Sequence, residues 1–168
     1  MPFIPSRGVI GTDLVNLHPN WKIIEDPYNE GHDILLVPAI RPDIAMIHAF
    51  KADQNGNVLA PGYEDRMVAQ ASDKVLVTVE EIVDYDLSED PRGGHLIPWP
   101  FISLVIHAPR GSHPGGMKPY YEADNGHFSR YMEASRTADG FNAYLDEFVR
   151  GHTEDEYREM VTRAAVPA

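Results

Sequence analysis

Four short apolar runs decide most of what this chain can become. They lie at residues 34–37, 44–47, 75–79 and 102–106, and each is apolar at consecutive rather than alternate positions. Each also stops abruptly, at Pro38, at His48, at Glu80 with Glu81, and at His107. Runs apolar on both faces suit strands covered on both sides, as in parallel or mixed sheets. The strict alternation of a half-wet antiparallel sheet is missing.

Helical patterns fall between and after these runs. Residues 64–73 carry Met67, Val68 and Ala71 at helical spacing. Phe128, Tyr131 and Met132 form one later stripe, and Phe141, Tyr144, Leu145 and Phe148 form another. Asp139-Gly140 reads as their separator and Gly151 as a C-cap. Thr153-Glu154-Asp155-Glu156 reads as a capping box that opens a last helix to about Ala165. Residues 1–33 are loop-like, because Pro2, Pro5, Gly8, Gly11, Pro19, Pro27 and Gly31 leave no room for long elements. The expected class is α/β: an open, mostly parallel sheet flanked by helices, with a helical C-terminal tail. One domain over residues 1–168 is expected, divided into a loop-rich entry (1–33), a sheet region (34–110), and a glycine loop with the tail (111–168).

Composition narrows the function. The chain has 168 residues and a formal charge of −12. That charge repels phosphate backbones, so no nucleic-acid partner is expected. No basic amphipathic stretch suggests a membrane surface. The most apolar segment, 96–106, is about half the length of a spanning helix and holds two prolines. The N-terminus lacks a signal-peptide layout, and there are no cysteines, hence no thiolate chemistry. The expected location is cytoplasmic.

Ionisable groups at strand ends are the first chemical candidates, because ligand crevices of open α/β sheets lie beyond the carboxyl ends of strands. They are His48, Glu80 with Glu81, and His107. A carboxylate between apolar walls can serve as base or nucleophile. The same groups can equally be hydrogen-bonded at the sheet rim or at an intersubunit contact. Gly111-Ser112-His113-Pro114-Gly115-Gly116 is the one glycine-rich loop. Its N–H groups would face an anion or a carbonyl oxygen, or the glycines simply serve a turn. Adjacency of Ser112 and His113 does not make a catalytic pair. The pocket candidates are therefore His48, Glu80, Gly111, Ser112 and His113.

No metal site is expected. No two histidines stand at i, i+4 on a helix, and His18, His32, His95, His127 and His152 lie in polar or loop contexts that suit solvated rings. Dinucleotide, P-loop and nucleophile-elbow motifs are absent. Tyr63, Tyr85, Tyr120, Tyr121 and the tryptophans read as core or interface aromatics.

Several segments together carry a resemblance. They are Met1-Pro-Phe-Ile-Pro with Gly11-Thr-Asp, Ile24-Glu-Asp-Pro27, and Val37-Pro-Ala-Ile-Arg-Pro-Asp-Ile-Ala-Met-Ile-His48-Ala. Asp53-Gln-Asn-Gly56-Asn-Val58, Val77-Thr-Val-Glu-Glu-Ile82 and Ala108-Pro-Arg-Gly-Ser-His113-Pro follow in order. Over essentially its whole length the chain resembles the α subunit of family I coenzyme A transferases, of the glutaconate type. The resemblance implies an open α/β sheet with flanking helices. It also implies exchange of CoA between an acyl-CoA and a carboxylic acid, through a glutamyl anhydride and then a glutamyl-CoA thioester. CoA thioester is then substrate, and no tightly bound cofactor is implied.

In that family the nucleophilic glutamate sits in a Ser-Glu-Asn-type motif of the β subunit. This chain has no such motif, so the resemblance assigns it no catalytic residue and a β-subunit partner in a hetero-oligomer. Two related readings are a component of a hydrolase that opens a ring of a CoA-linked steroid fragment, and a non-catalytic stabilising partner. The family also places a glycine-rich strand-turn-helix region before the Pro-Phe-x-Pro segment, where Met1 stands here. A C-terminal portion, a truncated gene model or a split chain is the corresponding expectation. His107 and Arg110 occupy places often acidic or glycine in relatives.

Overall fold

The computed structural model describes residues 2–89 and 92–164. The chain divides into two compact units, Met1–Asp43 and Ile44–Ala168.

The first unit is a three-stranded antiparallel sheet. Strands β1 (Phe3–Ser6) and β2 (Lys22–Glu25) flank β3 (Asp33–Pro38), with a short helix α1 (Asp13–Leu17) between the two flanking strands in sequence. The prolines and glycines do prevent long elements, but they leave room for strands of four residues. The run 34–37 is thus the centre of an antiparallel sheet, and only Leu35 of it is fully buried. Asp26 closes the turn after β2. It accepts from Arg7 Nη2 (2.6 Å), Tyr28 N (2.9 Å) and Asn29 Nδ2 (2.9 Å).

The second unit holds a five-stranded open sheet in the order β7-β5-β4-β6-β8. Its strands are β4 (Ile44–Asp53), β5 (Val58–Ala60), β6 (Lys74–Val83), β7 (His95–Ile97) and β8 (Leu104–His107). The long ladders, β4–β6 and β6–β8, are parallel, and β5 and β7 add an antiparallel edge. Helix α2 (Tyr63–Ala71) connects β5 to β6 and packs against β4, β5 and β7. One face of the sheet forms the core. Ala45, Ile47 and Ala49 of β4 stand opposite Val75, Val77 and Val79 of β6, and Val58, Ala60, Ala69 and Ile97 complete the cluster.

The opposite face is less covered than consecutive apolar residues suggest. Ile44, Met46, Leu104 and Ile106 are exposed there. Strand limits differ as well. β4 runs past His48 to Asp53, and β6 runs past Glu80 to Val83. Of the four stopping points, Pro38 and His107 are true strand ends. His48 and Thr78, paired across β4 and β6, lie on the face opposite Ala49 and Val79 of the core.

Helices α3 (Asn125–Ala134), α4 (Ala138–Phe148) and α5 (Glu154–Ala164) form the C-terminal part. The break between α3 and α4 lies at Thr137, whose hydroxyl accepts from Gly140 N at 3.1 Å. Asp139 and Gly140 therefore sit in the first turn of α4, not between helices. A side chain at Gly140 would meet Ala134 O at 2.7 Å, so the glycine serves close passage of the two helices. The capping box of α5 is present: Glu156 N donates to Thr153 Oγ1 (3.3 Å) and Thr153 N to Glu156 Oε2 (2.8 Å). Gly151 has φ +76° and follows α4 after two further residues. The expected end near Ala165 falls outside the described residues. No described helix is long and apolar enough to cross a membrane.

Candidate functional site

The parallel strands bring the site together. His48 of β4 is paired with Thr78 of β6, and Val79 with His107 of β8. β8 ends at that point while β6 continues. Glu80 is therefore the first residue of β6 on its face beyond the end of β8, and the loop after β8 folds onto it.

Glu80 is only 6% exposed, and both its oxygens accept hydrogen bonds. Its Oε1 accepts from the Tyr121 hydroxyl (2.6 Å) and from His48 Nε2 (2.7 Å). Its Oε2 accepts from the backbone N–H of Arg110 (2.8 Å). A buried carboxylate needs such donors to offset its desolvation. His48 is held in turn by Thr78, whose Oγ1 lies 2.8 Å from Nδ1. Burial, and then the hydrogen bond to Glu80, push the Tyr121 phenol well above its ordinary value. It stays protonated and donates at any physiological pH. It also accepts from Ser112 N at 3.1 Å.

The glycine loop is committed to the chain itself. Arg110 N is spent on Glu80, Gly111 N on Ala108 O (2.9 Å), Ser112 N on Tyr121, and His113 N on Arg110 O (3.0 Å). These four N–H groups are not an open anion cradle. The left-handed residue of the turn is Arg110, with φ +63°, and its guanidinium stacks on the Tyr121 ring. Gly111 is needed for closeness: a Cβ there would meet His48 Cε1 at 2.9 Å and Ala108 O at 2.8 Å.

Of the residues singled out from sequence, His48, Glu80, Gly111 and Ser112 converge. His107 joins them through the Glu80 carbonyl, 3.2 Å from its Nε2. Glu81 points elsewhere, pairing with Lys51 at 3.1 Å. His113 also turns away, toward Tyr157 (2.7 Å) and Asp124 (3.3 Å). His127, expected to be solvated, is buried against Tyr144 and Phe148. Tyr121 and Thr78 complete the cluster without any signal in the sequence. Tyr121 sits 41 residues from Glu80, so no local pattern announces its role.

Asp53 organises the turn between β4 and β5. It accepts from Asn55 N, Asn57 N, Asn57 Nδ2 and Leu87 N, all at 2.9–3.0 Å. Burial alone would raise its carboxyl, but these hydrogen bonds outweigh it and hold the group below the usual range. The segment Asp53-Gln-Asn-Gly56-Asn is thus a hairpin turn, with Gly56 at φ +90°.

Residues 9–108 match the sequence profile described as coenzyme A transferase. The chain belongs to the coenzyme A transferase family. It is 40% identical over 153 residues to a 3-oxoadipate CoA-transferase subunit from Pseudomonas knackmussii, an alignment covering 90% of this chain and 53% of that one. A crystal structure of glutaconate coenzyme A-transferase from Acidaminococcus fermentans superposes with a TM-score of 0.86 at 28% identity, over 98% of this chain and 57% of the other. The cholesterol ring-cleaving hydrolase IpdA subunit of Rhodococcus jostii is 24% identical over 175 residues, covering 98% of this chain and 59% of that protein. This coenzyme A transferase family chain therefore spans somewhat over half the length of these relatives. The similarity extends through both units, so the three-stranded sheet and the Glu80 cluster both lie within the matched region.

Proposed function

We propose that this chain acts as the α-type component of a two-component CoA-transferase, with the attacking glutamate supplied by a partner. The observation that carries this reading is the engagement of Glu80. Both oxygens of this buried carboxylate in the candidate crevice already accept from donors of this chain. A nucleophile needs an oxygen that the substrate can reach, and Glu80 is only 6% exposed. Glu80 instead fixes His48, Tyr121 and the loop backbone in one geometry, which is a positioning role.

The reaction balances without a redox step. The partner's glutamate attacks the acyl-CoA carbonyl, forming a mixed anhydride and releasing CoA thiolate. The thiolate attacks the glutamyl carbonyl, giving glutamyl-CoA and the first carboxylic acid. A second carboxylate attacks the glutamyl thioester, forming a new mixed anhydride and releasing CoA thiolate, and the thiolate attacks the acyl carbonyl of that anhydride, giving the new acyl-CoA and freeing the glutamate. In this scheme the chain's own contribution is one wall of the crevice. His48 and Tyr121 keep their orientation there, and Gly111 leaves room for the His48 ring.

The similarity to the 3-oxoadipate CoA-transferase component supports a carboxylic acid as acceptor. The similarity to a component of a ring-cleaving hydrolase supports a second reading, in which water opens a ring of a CoA-linked substrate and the thioester is kept. Co-purification with the product of a neighbouring gene, then assay of CoA exchange between acetyl-CoA and a panel of acids, separates these readings. Transfer to an acid is the expected result. Opening of a cyclic CoA-linked substrate by water, with no CoA exchange, would favour the hydrolase. Assembly with neither activity would leave only a stabilising role.

A further inference from the structure

The helical part holds a polar cluster that the crevice does not use. His113, Asp124 and His127 bring three potential ligand atoms within 4.8 Å of one another. They come from the loop after β8 and from the start of α3. The His113 side chain is 1% exposed, and His127 is buried.

Each histidine is pinned at one nitrogen by a tyrosine. His113 Nδ1 lies 2.7 Å from the Tyr157 hydroxyl, and His127 Nε2 lies 2.7 Å from that of Tyr144. The second nitrogen of His113, Nε2, faces Asp124 Oδ2 at 3.3 Å. The two rings meet edge to face at 4.8 Å. Fixing one ring nitrogen by an outer hydrogen bond is how proteins orient a histidine that binds metal with the other. Asp124 is held too, since its other oxygen caps α3 by accepting from His127 N at 2.8 Å.

A cavity of about 330 Å³ lined by His113, Tyr144, His152 and Tyr157 lies alongside.

We propose that His113, Asp124 and His127 form a binding site for one divalent cation of the zinc class, which ties the loop after β8 to α3. Two imidazoles and one carboxylate suit zinc and its borderline neighbours, not calcium or magnesium. Ligand atoms across a tetrahedral zinc stand roughly 3.3 Å apart, so the widest gap must close by about 1.5 Å. Sequence spacing conceals the set, because His113 and Asp124 are 11 residues apart and Asp124 and His127 only 3.

The test uses the untagged full chain. Zinc is titrated in, the protein is passed through gel filtration, and bound metal is counted by elemental analysis. About one zinc per folded chain is expected, with a raised melting temperature. Cobalt(II) in its place should give visible bands of low-coordinate nitrogen–oxygen ligation. Asp124→Asn retains an oxygen to cap α3, so it should fold, yet bind zinc at least about tenfold more weakly. His127→Gln should do the same. Less than about a tenth of a zinc per folded wild-type chain at ~100 μM zinc would overturn the proposal. So would unchanged affinity in both variants, or loss of binding on His152→Gln alone.

Discussion

Glu80, Tyr121 and His48 hold one another, and their removal should be felt in two ways. Tyr121→Phe deletes the donor to Glu80 Oε1 and the acceptor for Ser112 N. It should cost roughly 1–3 kcal/mol of stability by denaturant titration. In the assembled enzyme it should lower kcat about tenfold, or about 1.4 kcal/mol of barrier. Asp26 makes a separate residue-scale prediction. Hydrogen bonds from Asn29 and Tyr28, then Arg7, lower its carboxyl from 3.8 to about 2. A carboxyl depressed in the folded state stabilises fully above its unfolded value and loses that contribution as pH falls through the folded one. Fluorescence of Trp21, in the same unit, should therefore report a transition as pH drops from about 4 toward 2. In Asp26→Asn that transition should flatten, and an unchanged profile would contradict the assignment.

Elements differ in how far they can be read before folding. α2, α3, α4 and α5 are legible because helical periodicity and caps are local signals. Thr153 shows this best. Its capping box is a four-residue pattern, and Thr153→Ala should cost about 1 kcal/mol, seen as faster hydrogen exchange through α5. Strands β1, β2, β5 and β7 are not legible. Each is three or four residues long, too short to show a period, and is held by ladder partners elsewhere in the sequence. β4 and β6 are legible in their apolar halves only. Their polar continuation, through His48 and Glu80, is where the site lies. Those two residues look like strand ends in the sequence, and they matter instead because register places their strands side by side. Asp124, His127 and Tyr157 give no signal, because their meeting depends on a loop and on two helices packing together.

The second unit presents an uneven sheet. One face is packed, while the other carries Met46 at 82% exposed, with Ile44, Leu104 and Ile106 also exposed. An apolar strip on a parallel sheet favours association in water. Light scattering of the chain alone should show mass rising with concentration, and Met46→Lys should reduce it. A monomer at all concentrations would count against that reading. In the proposed division of labour, this chain organises a crevice and a partner supplies the attacking carboxylate. The most direct measurement is to mix the co-purified pair with acyl-CoA, reduce the enzyme thioester with borohydride, and locate the modified glutamate by peptide mass spectrometry. The modification should fall on the partner, with Glu80 and Glu81 untouched. Reduced Glu80 in this chain would contradict the account.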